Sequence, residues 1–297
     1  MPRPIHIACD GEIRDLAALS ARIGRDPLLA QASSGNTSIK IGDFLWIKAS
    51  GKWLASALND EDAFVPVPLA DLRGDCFSGT CRASIETASH AVLPQKVVIH
   101  VHSVNTIAWA VRSDGPERLA QRLNGIAWHW IPYVPSGLPL ARMIGEAVAA
   151  SPELRVFVLA NHGLIVCGDD CEGTEKLLAE VDRRLAVSPR SSECCDDPVS
   201  RRILTGGILY PCQAMFLGTD MAQLSNQGLT TAQRAVLDGL MQVVRRIDEA
   251  APIRYLSRDE VSELLTEDLH RYLERAENNA SKAAVPSAAP GVVPAGS

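Results

Sequence analysis

The chain of 297 residues has no run of about 18 consecutive apolar residues, so no hydrophobic membrane span is expected. It has no CxxC spacing. Its eight cysteines, Cys9, Cys76, Cys81, Cys167, Cys171, Cys194, Cys195 and Cys212, are scattered. The Cys76/Cys81 and Cys167/Cys171 spacings fit no zinc-ribbon pattern, and free thiols in a reducing compartment are expected. It has no positive excess. A net charge of -6 gives no support for nucleic acid or an anionic membrane as a partner. An anionic substrate would need a local basic pocket against that background. No GxGxxG fingerprint of a dinucleotide fold is present. The first residues, Met1-Pro2-Arg3-Pro4-Ile5-His6, lack the apolar stretch of a secretory signal, so a cytoplasmic location is expected.

What is present is ordinary globular material: 46% hydrophobic and 22% charged, enough to build a sizeable core. Residues 12–23 carry Leu16, Leu19 and Ile23 at helical spacing. Two short strands, 37–41 and 44–48, flank the Gly42-Asp43 turn, a hairpin signal. A short strand falls near 65–69, and a helix over 84–93 has Ser84 as its N-cap and Pro94 at its end. Apolar strands follow at 97–102 and 155–166, the second broken near Asn161-His162-Gly163. Helical character is read over 103–112, 141–150, 171–185, 232–247 and 259–274, the last capped by Ser257. Residues 186–202 read as an exposed polar loop. From residue 278 the chain turns to Ala, Pro, Ser and Val without periodicity, a disordered tail over 278–297. Strands alternating with helices over 12–185 indicate an α/β layered fold. Runs 97–101 and 156–160, apolar on both faces, belong in a sheet covered on both sides.

The chemistry is carried by histidine. His100 and His102 alternate with Val101 on one strand, so both point to the same face. His162 follows a second apolar strand, and Glu86 lies upstream, four residues before His90. Three buried imidazoles without a metal would each need separate partners. With a metal they supply three protein ligands and leave a position open to substrate, the arrangement of catalytic zinc. The reading is a metal-dependent enzyme.

Four segments, in order, resemble the class II aldolase/adducin family, the fold of L-fuculose-1-phosphate aldolase and L-ribulose-5-phosphate 4-epimerase. They are Ser34-Gly35-Asn36-Thr37-Ser38, Ala49-Ser50-Gly51, the helix start Ser84-Ile85-Glu86-Thr87-Ala88-Ser89-His90, and the histidine pair His100-Val101-His102 with Asn161-His162-Gly163-Leu164. Trp46 to Leu54 and Arg254-Tyr255-Leu256-Ser257 resemble the aldolase half of the predicted rhamnose-utilisation aldolase/dehydrogenases. With no dinucleotide fingerprint, no dehydrogenase half is expected in this chain.

The resemblance implies a three-layer α/β/α sandwich with a central mixed, largely antiparallel sheet. It implies a class II aldolase-like domain over 1–277, with its motifs in 12–190 and a helical extension over 203–277. His100, His102 and His162 are implied as ligands of one Zn2+, or of another divalent ion, with Glu86 as a fourth ligand at rest and a proton carrier when substrate displaces it. Gly35, Asn36, Ser50, Gly51 and Ser84 would form an anion pocket, and Tyr133 is a candidate acid. Lys48 and Lys52 either add positive charge there or lie solvated. Ile85 replaces a serine of the family's phosphate motif. Tyr210-Pro211-Cys212-Gln213 stands where relatives place an acid/base pair, leaving Tyr210 either as a substitute or as core. The implied activity is a zinc-dependent aldolase that cleaves or forms a C–C bond in a ketose phosphate or related keto-sugar through an enediolate. The alternatives are an epimerase, dehydratase or decarboxylase on the same site, or a non-catalytic adducin-like interaction protein. A homo-oligomer, with a tetramer favoured, is implied, with a small sugar or sugar phosphate as partner.

Overall fold

The computed structural model describes residues 6–72, 83–190, 197–221, 227–265, 272–273 and 276–280. Helix α1 (His6–Gly24) precedes the hairpin β1 (Asn36–Ile41) and β2 (Phe44–Lys48), then β3 (Phe64–Pro68). Helix α2 (Thr87–Ala91) leads into β4 (Val97–Val101), α3 (Val104–Ala110) and α4 (Gly115–Arg122). The pairs β5 (Trp128–Ile131) with α5 (Leu138–Ala150), and β6 (Val156–Leu159) with β7 (Gly163–Gly168), complete the sheet. Helices α6 (Cys171–Leu185), α7 (Pro198–Gly206), α8 (Thr231–Val244) and α9 (Arg258–Leu264) follow.

The seven strands lie in the order β3-β2-β1-β4-β7-β6-β5, antiparallel throughout except for the β5–β6 pair. This is the mixed, largely antiparallel sheet the resemblance implied. The β1–β2 turn is tight, with Ile41 opposite Phe44 and Gly42 at φ +56°.

Period two sorts the strand residues between the layers. Val97, Ile99 and Val101 of β4, Val156 and Val158 of β6, and Leu164 and Val166 of β7 pack with α1, α4 and α6. Val98, Phe157, Leu159, Ile165 and Cys167 face the other way, onto α5. Both faces are buried, and each fully buried aliphatic side chain contributes about 1.5–3 kcal/mol. By the same alternation His100 belongs to the Val98 face, the side on which α2 and α5 meet. A second cluster, with Val104 and Ile107 of α3, Ile203 of α7 and Val236 and Leu240 of α8, closes one end of the sheet.

Several sequence expectations change. The helix read over 84–93 is shorter, because Ser84 does not cap it: its hydroxyl accepts from the Glu86 N–H in a turn that precedes α2. The polar stretch 186–202 is not all loop. Asp197 accepts from the Val199 and Ser200 N–H groups and Pro198 occupies the first helical position, so α7 starts there. Strand β5 and helix α4 were not foreseen. Of the helix read over 259–274, α9 ends at Leu264, residues 272–273 are again helical, and 266–271 and 274–275 lie outside the described residues. Of the tail read over 278–297, residues 278–280 are helical and 281–297 lie outside the description, as do Cys76, Cys81, Cys194 and Cys195. Cys167, Cys171 and Cys212 are free thiols. Among the described residues, no helix is long and apolar enough to cross a membrane.

Candidate metal centre

Strands β4 and β6 each run antiparallel to β7, so they end at the same edge of the sheet. His100 and His102 leave the end of β4, and His162 sits in the turn from β6 to β7. That turn is forced: Asn161 takes φ +52°, outside the usual range for a residue with a side chain. Its amide holds it there, donating to the carbonyls of Leu209 and Arg254 while its own oxygen accepts from the Arg254 guanidinium. Gly163 is required next to it, since a Cβ would stand 2.5 Å from the Val101 carbonyl oxygen.

The three imidazoles converge with ring centroids 4.9–5.0 Å apart. One ring nitrogen from each lies within 4.8 Å of the others, and all three residues are buried. The Nε2 atoms of His100 and His102 are 3.2 Å apart. The outer nitrogen of His100 lies 3.1 Å from the Leu164 carbonyl oxygen, which fixes its proton on Nδ1 and frees Nε2. The carboxylate of Glu86 spans the cluster, with one oxygen 3.4 Å from His100 Nε2 and the other 3.3 Å from His162 Nε2. It is held by the Asn36 amide at 2.7 Å and the Ser136 hydroxyl at 3.3 Å.

The electrostatics match a cation site. Burial lowers His162 to about 4, and lowers His102 as well, so both are neutral donors at pH 7. Burial pushes the Glu86 carboxyl up, but His100, His162, His102 and the Asn36 amide outweigh it, and the group stays ionised. A cation between the facing ring nitrogens and the carboxylate would meet all of them. Three His nitrogens and a carboxylate oxygen form a donor set that suits zinc, and the residues present fit the ion. His90 is not part of it. It is fully buried, and its Nδ1 meets the Ser38 hydroxyl at 2.7 Å.

A cavity of about 480 Å³ opens beside the cluster. Glu86, His102 and His162 line it, and so do Gly35, Asn36, Ser50, Gly51, Ser84 and Tyr133. Asn36 lies opposite His100 in the β1–β4 ladder. Its NH2 group is engaged by Glu86 and Ser84, and its carbonyl oxygen is buried with no partner among the described residues. Gly35 sits at φ +69°, where a Cβ would meet the His100 carbonyl oxygen at 2.8 Å. Lys48 is not solvated. Its ammonium is buried on the cavity wall and donates to the carbonyls of Ser33 and Lys52, with no carboxylate in ion-pair range among the described residues. Burial lowers it to about 7, against the pull of Glu86. Lys52 instead pairs with Asp60 at 2.7 Å. Tyr133 is pushed up to about 12, first by burial and then by Glu260 and Glu263. Tyr210 belongs to the core, 1% exposed, which resolves its two readings.

Sequence reasoning missed Ser136, Cys212, Glu260, Glu263 and Tyr272, all on the cavity wall. Cys212 places its sulfur 3.2 Å from His102 Nδ1, and burial pushes the thiol up to about 12. Tyr272 shares a hydrogen bond with the Ser33 hydroxyl at 2.9 Å. No local pattern marks Ser136, Glu260, Glu263 or Tyr272, because they reach the cavity from distant parts of the chain; Cys212 lay in the marked segment 210–213, but the thiol itself was not read as part of the site.

Residues 14–188 match the model of the class II aldolase and adducin N-terminal domain. Over 224 residues the chain is 28% identical to the uncharacterized oxidoreductase YuxG of Bacillus subtilis (strain 168), covering 67% of this chain and 32% of that protein. The chain therefore spans about a third of that relative's length. It is 30% identical over 172 residues to methylthioribulose-1-phosphate dehydratase of Microcystis aeruginosa, covering 50% of this chain and 82% of the dehydratase. The fold is similar to the N-terminal class II aldolase domain of a conserved protein from Thermoplasma acidophilum, with a TM-score of 0.51 and 23% identity over 62% of this chain and 97% of that one.

Proposed function

Since the chain belongs to the class II aldolase and adducin N-terminal domain family, we propose that it is a zinc-dependent carbon–carbon lyase acting on a small anionic keto-sugar, a ketose phosphate or a keto-sugar acid. The observation that carries this reading is the cluster of His100, His102, His162 and Glu86, which opens through Glu86, His102 and His162 onto one cavity also lined by the buried Lys48. An interaction head without catalysis has no use for three buried imidazoles around a carboxylate.

In this reading His100, His102 and His162 hold the ion, and Glu86 completes the set at rest. When bound, the ion polarises the substrate carbonyl and stabilises the negative charge that develops on oxygen as the C–C bond breaks. Glu86 takes the proton from the substrate hydroxyl, so that this carbon leaves as an aldehyde. Asn36 and Ser136 orient the carboxylate for that transfer. Tyr133, protonated well above neutral pH, is assigned to return a proton to the carbon left electron-rich. Lys48, with Gly35, Ser50, Gly51 and Ser84 around it, takes the substrate's anion: a buried ammonium without a counter-charge is costly until an anion arrives. The assembly proposed is a homotetramer. Its support is the family resemblance.

The identity to a methylthioribulose-1-phosphate dehydratase favours a second reading. There the same residues would remove a hydroxyl as water from a sugar phosphate. The test is a screen of ketose 1-phosphates and keto-sugar acids with zinc-loaded protein, read by aldehyde trapping and mass spectrometry. An aldehyde fragment is the expected product. Loss of water without cleavage would replace the lyase with the dehydratase, and no turnover of any anionic keto-sugar would remove both.

A further inference from the structure

Two of the three imidazoles differ sharply in what fixes them. His100 lies within β4, paired on both sides by β1 and β7, and its outer nitrogen rests on a main-chain carbonyl of the same sheet. His102 stands one residue beyond the end of β4, where no ladder holds the backbone. To bind an ion through the Nε2 that faces His100, it must carry its proton on Nδ1. The group that receives that proton then decides how the ring is turned. It is the sulfur of Cys212, 3.2 Å away and buried. Cys212 immediately precedes the π turn Gln213–Leu217 and is carried there by Tyr210, buried in the core. The π turn is itself anchored, since the Gln213 side chain accepts from the Leu209 N–H at 2.8 Å.

We propose that Cys212 is a positioning residue of the metal centre, its sulfur accepting the Nδ1–H of His102 and holding Nε2 on the ion. This rests on the reading of the three histidines as metal ligands. Outer partners of ligating histidines are usually carbonyls or carboxylates, and their loss costs about 10–100-fold in metal affinity. A neutral sulfur is a weak acceptor, so the effect belongs toward the lower end of that range. The centre is thus built unevenly, with one imidazole set rigidly by the sheet and the other steered by a soft contact from the C-terminal extension.

The experiment separates acceptor from filler. Cys212→Val fills the site with one heavy atom more and removes the acceptor, while Cys212→Ser keeps an acceptor in a slightly smaller side chain. Zinc is withdrawn from each purified holoprotein by titration with a chromogenic chelator, and the visible spectrum of the cobalt-substituted protein reports ligand geometry. Cys212→Val should weaken zinc retention by about tenfold, the lower end of the range for a lost outer partner, and change the cobalt spectrum, with Cys212→Ser within a few-fold of wild type and circular dichroism unchanged in both. Cys212→Ala should reproduce the valine result if valine does not fit the site. Retention in the valine and alanine variants equal to wild type would overturn the proposal, as would a loss in serine as large as that in valine. If wild type itself held no zinc, the metal reading would fall and this inference with it; normal wild-type binding with an inert Cys212 would leave the metal reading standing.

Discussion

At one end of the cavity His100, His102, His162 and Glu86 converge from β4, the β6–β7 turn and the start of α2, and every charge there has a partner within reach. At the other end Lys48 is buried against carbonyl oxygens alone. The walls differ as well. The metal end is framed by paired strands, whereas part of the remaining wall comes from Met215, Glu260, Leu264 and Tyr272, beyond the matched family domain. The contrast separates two tasks. Chemistry at a fixed carbon needs atoms set by a rigid ladder, while acceptance of a particular substrate can be left to a wall assembled from elsewhere.

The largest test of that division strikes the rigid end. His162→Ala should reduce bound zinc from about one ion per chain to almost none, measured by elemental analysis, with Lys48 untouched. Full zinc occupancy in that variant would mean that the imidazoles are packing groups. Next in size is Glu86→Gln, which keeps the shape and removes the base. It should lower kcat at least about a hundredfold with far-UV circular dichroism unchanged, and wild-type turnover would dismiss Glu86 as a proton carrier.

The opposite end should answer differently. Lys48→Met should lower kcat/KM for an anionic substrate by about 10–100-fold, the loss of a charge-assisted hydrogen bond of about 1.5–3 kcal/mol, and leave a neutral analogue and zinc content as they were. Equal losses for both substrates would refute the assignment. Because burial lowers Lys48 to about 7, the free enzyme loses this cation as pH rises through that value. Binding of the anion should therefore fall about tenfold per pH unit above it, and this pH dependence should be missing in Lys48→Met. The linkage to stability has the opposite sense. Between about 7 and the ordinary value of 10.5 the unfolded chain binds the extra proton, so the contribution of Lys48 to stability rises with pH across that window.

The smallest effect belongs to the outer wall. Ser257→Ala removes the capping box of α9, whose partner Glu260 lines the cavity. It should cost about 1 kcal/mol in thermal or denaturant unfolding and raise KM only a few-fold, with zinc unaffected. A loss of zinc would erase the boundary drawn between the two ends.

The same boundary divides what the sequence revealed from what it hid. His-x-His on an apolar strand shows its shared face through period two, and the Gly42-Asp43 hairpin shows its register, because both are local facts of the backbone. Glu86 and Asn36 were found through motifs whose order in the chain mirrors their meeting in the sheet. Lys48 stayed ambiguous because burial at the end of β2 depends on β1 and β3 on either side. Strand β5 is four residues long and pairs only at the sheet's edge, too short for alternation to show. Ser136 carries no signal, since what it touches lies far away in sequence, and the segment that holds Cys212 was marked only through the resemblance, which pointed to Tyr210 and not to the thiol.

The strand order has a consequence in time. β1, β2 and β3 form a local meander, and β6 with β7 forms a local hairpin. They are joined only through β4, whose pairings to β1 and β7 close long loops and are slow to form. Asn36 comes from the first piece and His162 from the second, while His100 and His102 leave the strand that joins them. The three histidines of the proposed site therefore do not meet until β4 has paired with β7, and zinc added to a refolding chain should be captured with that slow closure, a marker that the seam has formed.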